Sequence, residues 1–234
     1  MKAKTNGAAV VNRIAAVPET EGVSKITIKA PDLRVIRLTI RGDAPLVLCR
    51  FGEKARREIR DKQARGSKAA AERGKGREAR KPAEEYAEAR HISHEGWDGI
   101  MASAFRRAMV DACRVGGITM VMAKMSLFIV PDGIDAKDSS PLVRITKGEP
   151  HQHEAYTRPQ FNVTTLAHRP MWAPGWEAVV SIRFDADYVD GQSVANLLAR
   201  AGQQIGVGEG RPFSKNSTGC GWGTFTIVGS GDGQ

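Results

Sequence analysis

The stretch LRVIRLTIRG alternates, with Arg34, Ile36, Leu38 and Ile40 interleaved with Leu33, Val35, Arg37 and Thr39. That period of two predicts a strand with one apolar face. RGDAP makes a turn, and PLVLCRF continues as a second extended piece. Between 97 and 117 the period changes. Ile100, Met101, Ala104, Phe105, Ala108, Met109, Ala112 and Cys113 recur three and four apart, which predicts an amphipathic helix ended by Gly116 and Gly117. Its polar side carries Ser103, Arg106, Arg107, Asp111 and Arg114. Arg107 and Arg114, seven apart, share a face that suits a phosphate or carboxylate, and an ion pair from Arg107 to Asp111 competes with that use.

GITMVMAKMSLFIVP then reads as an extended apolar run, followed by the turn PDGIDAKDSSP and a short strand, LVRITKG. Residues 148–175, rich in Pro, His, Arg and aromatics, read as a long loop excursion with one strand. WEAVVSIRFDADYV gives a strong strand, and DGQSVANLLARAGQQIG a helix capped near Asp190 and Ser193. A glycine-rich loop, 206–223, leads to the closing strand WGTFTIV. Without its insertions the order is βαββαβ. The expected fold class is α+β, with a ferredoxin-like (RRM-like) core, a basic insertion and a C-terminal glycine-rich loop. The expected domain organisation is an arm at 1–30, partly disordered, and a single domain at 31–230.

Charge sharpens this picture. The 234 residues carry a net charge of +9. Residues 50–81 hold thirteen Lys and Arg against five Asp and Glu, which accounts for nearly all of the excess. With few large apolar residues, this segment cannot form a core of its own. It reads as part of a basic, flap-like insertion at 50–90 that closes over phosphates, with a solvated linker as the plain alternative. A polyanionic partner follows, nucleic acid before others. No run is long and apolar enough for a membrane span, no signal peptide is evident, and three dispersed cysteines fit a reducing, cytoplasmic setting.

The glycines of GVGEGRPFSKNSTGCGWG have two uses. Gly206 and Gly208 follow the last helix, where a glycine cap is expected. Gly219, Gly221 and Gly223 alternate into the last strand and strip one face of side chains, so that another backbone can approach. Arg211, Lys215 and the loop amides then suit phosphates. A purely structural loop also wants glycine.

This layout of helix, GVGEGRPFSKNSTGCGWG and strand resembles the C-terminal glycine-rich loop of the RAMP superfamily, ferredoxin-like proteins that form the crRNA-binding backbone and related subunits of CRISPR effector complexes. IRLTIRGDAPLVL looks like their first strand and FRRAMVDACR like their first helix. The segments FGEKARREIRDKQ, AFRRAMVDACR and AGQQIGVGEGRP, in that order, also resemble a family of phage-encoded proteins of unassigned function, over roughly residues 33–228. The resemblance implies backbone-directed nucleic-acid binding by subunits laid side by side along a strand, hence a homo-oligomeric filament in the host cytoplasm. It does not specify DNA or RNA, or single or double strand.

The residues assigned to nucleic-acid binding are Lys54, Arg56, Arg57, Arg60, Lys62, Arg65, Arg106, Arg107, Arg114, Arg158, Arg169, Gly206, Gly208, Arg211, Lys215, Gly219 and Gly221. Tyr156, Phe161, Trp172 and Trp176 interleave with Arg158 and Arg169 as a stacking platform would, or cover the core. Among five histidines, HISH (His91, His94) and HQHE (His151, His153) lack a second ligand cluster at structural-zinc spacing, so no metal and no cofactor is expected. A ribonuclease using His91, His94 or His168 as general base is the enzymatic rival. A CRISPR-subunit mimic acting through a protein partner is the third reading. No catalytic residue is assigned, and the chain is expected not to be an enzyme.

Overall fold

The computed structural model describes residues 28–51, 56, 57, 60, 81–157, 165–213, 217 and 219–228. The chain divides between Ala30 and Pro31, and every described helix and strand belongs to the second unit. Most of the N-terminal arm lies outside the described residues. So do Lys54, Lys62, Arg65, Arg158, Phe161 and Lys215.

The expected alternation builds β1 (Leu33–Gly42). It pairs antiparallel with β9 (Glu177–Asp185) over nine residues, from Leu33 opposite Asp185 to Arg41 opposite Glu177. The closing strand β10 (Phe225–Ile227) lies on the other edge of β1. The far edge of β9 is shared: β4 (Leu127–Val130) pairs with its C-terminal half and β6 (Pro141–Lys147) with its start. β3 (Gly99–Met101) and β5 (Gly133–Ile134) extend the sheet from β6. Every pairing is antiparallel, and the class is α+β.

Two helices pack on this sheet through the residues their period selected. α2 (Ala102–Gly116) buries Phe105, Ala108, Met109 and Ala112, and ends on Gly117 in the left-handed conformation. α4 (Gly191–Arg200) buries Val194, Leu197 and Leu198. Asp190 caps α4 as expected, accepting from the Ser193 amide at 2.9 Å and its hydroxyl at 2.7 Å. These side chains form one core with Ile40, Val180, Ile182, Leu127 and Phe225. The alternate residues Val35, Arg37 and Arg183 are exposed. One π turn (Ala201–Ile205) extends α4. Gly202 lies in it because any Cβ there would come within 2.2 Å of the Phe225 carbonyl.

Two expectations are corrected. Residues 120–126 are not extended but form α3 (Met120–Ser126), and only Leu127–Val130 is strand. Met, Ala and Lys favour helix over strand, and the Thr119 hydroxyl caps the start by accepting from the Met122 amide. The excursion at 148–175 contains two strands, not one. β7 (Pro150–Thr157) and β8 (Thr165–Trp172) pair from Pro150 opposite Trp172 to Thr157 opposite Thr165. β2 (Leu46–Val47) completes this second sheet on β8. β7 is an edge strand, which tolerates the polar sequence that hid it. Within the expected flap, residues 82–89 form α1 (Pro82–Ala89), which packs against β8. No described helix is long and apolar enough to cross a membrane.

Candidate nucleic-acid interface

The glycine loop is tied down at both ends. Glu209 donates its amide to Val47 O at 2.8 Å, Gly223 to Pro45 O at 2.7 Å, and Val207 to Gly223 O at 3.0 Å. Close approach explains several of its glycines. A Cβ on Gly223 would stand 1.8 Å from Val207 O, one on Gly208 2.4 Å from Val47 O, and one on Gly206 2.9 Å from Pro212 Cδ. Those positions serve the fold's own packing. Gly219 and Gly221 differ: both have positive φ, and no described residue lies within 4 Å of a Cβ built on either.

The outer face of α2 meets this loop. Arg107 and Arg114 flank Asp111 at 3.7 and 3.9 Å, and the two guanidinium side chains are 77% and 56% exposed. Arg114 also stacks on Phe213 of the loop, 5.7 Å from its ring centre. Arg211 donates to Gly208 O at 2.8 Å. Burial pushes its pKa down, the like charge of Arg107 pushes further, and Asp111 opposes both. The sequence-predicted arginines of helix and loop therefore converge. Ser103, Arg107, Asp111, Arg114, Met120 and Lys124 are among the residues that line a groove of about 470 Å³ along this face. Ser217, whose hydroxyl donates to Arg211 O and accepts from the Gly219 amide, links the open glycines to Arg211.

Other predicted residues are committed elsewhere. Arg106 lines the groove, but its guanidinium is bound to the carbonyls of Leu127, at 2.9 Å, and Lys124, and lies over Phe128. It closes the turn from α3 into β4. Arg56 is paired with Asp138 at 2.6 Å. Arg169 is paired with Glu209 at 3.0 Å, bracing β8 against the loop. Arg57 and Arg60 are exposed. The stacking platform is corrected in part: Trp172 and Trp176 are fully buried. The Trp176 indole lies where Gly42 leaves room and donates to Ala44 O at 3.0 Å.

The structure also assembles a group that spacing did not reveal. His91 Nδ1 lies 3.0 Å from Asp135 Oδ2, and both residues are buried. Asp138 is close enough to join them as a set of possible metal ligands, but its carboxylate is taken by Arg56. Burial works to raise the Asp138 carboxyl, yet hydrogen bonds from Ser140 and the charges of Arg56 and His91 outweigh it and hold the pKa below its ordinary value. The two residues of the dyad are 44 apart in sequence, and the only local sign was the HISH stretch.

No protein-family model and no curated protein matches the chain. Among solved structures it is similar to the crystal structure of Cmr6 from Pyrococcus furiosus, with a TM-score of 0.40 and 10% identity, over 84% of this chain and 99% of that one.

Proposed function

We propose that this protein binds nucleic acid through the phosphate backbone, with little sequence selectivity and without cleaving it. The observation that carries this reading is the pair of exposed guanidinium groups, Arg107 and Arg114, on the groove along α2, which the contact of Arg114 with Phe213 ties to the loop that holds Arg211, Gly219 and Gly221. Exposed guanidinium groups release counterions when they meet phosphates, and the Gly221 amide, unlike that of Gly219, which Ser217 holds, adds a donor without a side chain in the way. Contacts of this kind position a strand but do not read its bases.

The frame for the site is the ferredoxin-like plan. The order β10, β1, β9, β4, with α2 and α4 as connections, supports it. In that frame the loop after α4 and the face of α2 lie together, as the RAMP resemblance leads one to expect. The same resemblance supports subunits laid side by side along a strand, as a phage-type filament. The basic residues of 50–81 other than Arg50, which is buried, and Arg56, which pairs with Asp138, add positive charge to this scheme.

Mobility shift with matched single- and double-stranded DNA and RNA, at two salt concentrations, tests the reading. Salt-sensitive retardation in steps that grow with ligand length, with the ligand intact, is expected. Cleaved ligand moves the assignment to an enzyme, and absence of binding at low salt overturns the reading in favour of a protein partner.

A further inference from the structure

The buried group around His91 brings together the donors that a metal ion takes. His91 comes from the connection between α1 and β3, and Asp135 and Asp138 from the turn between β5 and β6. An antiparallel bridge between Ser93 and Asp135 joins the two stretches, and the Ala136 amide donates to Ile92 O at 2.9 Å. One ligand atom from each of the three residues lies within 4.8 Å of the others. His91 and Asp135 are 5% and 1% exposed, and the Asp138 side chain 8%. Two carboxylates so far from water need positive charge beside them.

Both carboxylates are aimed. Asp135 Oδ1 accepts from the amides of Lys137 at 2.8 Å and Asp138 at 3.3 Å. Asp138 Oδ1 accepts from the Ser140 amide at 2.9 Å. Backbone donors thus fix one oxygen of each group and leave the other, Oδ2, for a positive partner. At Asp135 that partner is His91 Nδ1, at 3.0 Å, and at Asp138 it is Arg56, at 2.6 Å. Metal sites place such orienting donors behind their ligating carboxylates. The spacing fits as well. Two atoms each about 2.0–2.2 Å from one ion stand roughly 3 to 3.5 Å apart, as Nδ1 and Oδ2 already do.

The donor set selects the ion. An imidazole with two carboxylates suits zinc and its transition-metal neighbours better than magnesium or calcium, which take oxygen ligands. Three protein ligands leave a fourth position for water. With both oxygens of Asp135 accepting, the hydrogen between the two side chains belongs to Nδ1. The ion takes the place of that proton, so the positive charge that His91 presents to Asp138 is replaced by the ion's own. Arg56 cannot stay, because it and the ion need the same oxygen of Asp138.

We propose that His91 Nδ1, Asp135 Oδ2 and Asp138 Oδ2 bind one divalent transition-metal ion, zinc in the first place, and that Arg56 is the cation this ion displaces. The ion clamps the connection before β3 to the turn after β5, and it frees Arg56 from its carboxylate. The site does not depend on nucleic-acid binding.

Calorimetric titration of zinc into the tag-free, full-length protein, stripped of metal by a chelator, tests the site. One ion per chain is expected. His91→Ala and Asp135→Asn should each weaken binding by more than about tenfold. Arg56→Gln should do the opposite and tighten it, up to about fivefold, because it removes the competing charge. A general loss of structure cannot mimic that gain. If His91→Ala or Asp135→Asn does not fold, as circular dichroism would show, native protein against Arg56→Gln still decides. No zinc binding by either of these two overturns the proposal. So does binding that Arg56→Gln leaves unchanged, or that folded His91→Ala and Asp135→Asn retain in full, since the ion then sits on other groups, such as His151 and His153.

Discussion

Gly221 and Gly223 share a conformation, φ +77° and +68°, yet only Gly223 is hemmed in. A methyl on Gly223 would collide with the Val207 carbonyl and break the Val207 to Gly223 hydrogen bond that pins the loop. Gly223→Ala is therefore expected to cost more than about 3 kcal/mol, at the severe end for one substitution. Gly221→Ala meets no described neighbour, and the left-handed backbone penalty, about 1–2 kcal/mol, is its expected cost. Urea denaturation measures both. The pair also separates packing from binding: Gly221→Ala should weaken nucleic-acid affinity in protein that remains folded. Unchanged affinity there would remove the open glycines from the interface.

At the scale of elements, α2 carries the prediction that tests the groove. Reversing Arg107 and Arg114 to Glu should lower affinity and reduce the salt slope by about two units, one for each phosphate that is no longer neutralised. Arg37→Glu on the uncovered face of β1 changes charge in the same sense and should leave the slope alone. Salt titrations of binding compare them, and equal effects would mean net charge rather than this face governs affinity. Elements with an unbroken period were legible in the sequence. β1, α2, β9, α4 and β10 turn toward the core the side chains that their alternation or three-and-four spacing selects, with one correction: Ile100 and Met101, expected at the start of the helix, form β3, and α2 begins at Ala102. α3 was not, because MVMAKMS is apolar throughout and seven residues are too few to separate a helix from a strand by period. β7 was hidden by its polarity. The face that carries the groove was legible because Arg107 and Arg114 lie two turns apart. Arg106 misled because its helical position lies at the edge of that face, where it reaches carbonyls of the next element. The His91–Asp135 dyad depends on a contact between distant loops, which no local pattern encodes.

Across the whole molecule, stability should fall on the acid side through carboxylates that join separate parts of the fold. Glu177 of β9 accepts from Arg41 of β1 at 2.9 Å and from Lys147 of β6 at 3.2 Å, tying three adjacent strands. Those hydrogen bonds, with Arg41 first, hold its pKa below the ordinary value. Asp190 is held down by the Ser193 hydroxyl and then the Ser193 amide at the start of α4. At Asp138 burial acts upward, but Ser140, Arg56 and His91 together outweigh it and keep the pKa low. A carboxyl whose folded value is depressed contributes stability in full above its unfolded value, and that contribution disappears as pH falls through the folded value. All three act in the same direction. Urea midpoints should therefore be level around neutrality and decline between about pH 5 and pH 2. Asp138→Asn leaves a group that cannot ionise, so it should lower the midpoint at neutral pH and shrink the acid decline, with the two proteins converging at the acid end. Glu177 and Asp190 are exposed enough for salt to weaken the first of these ties, whereas the Asp138 side chain is only 8% exposed and its share should persist in high salt. An acid decline that Asp138→Asn leaves unaltered would show that the Arg56 pair does not stabilise the fold.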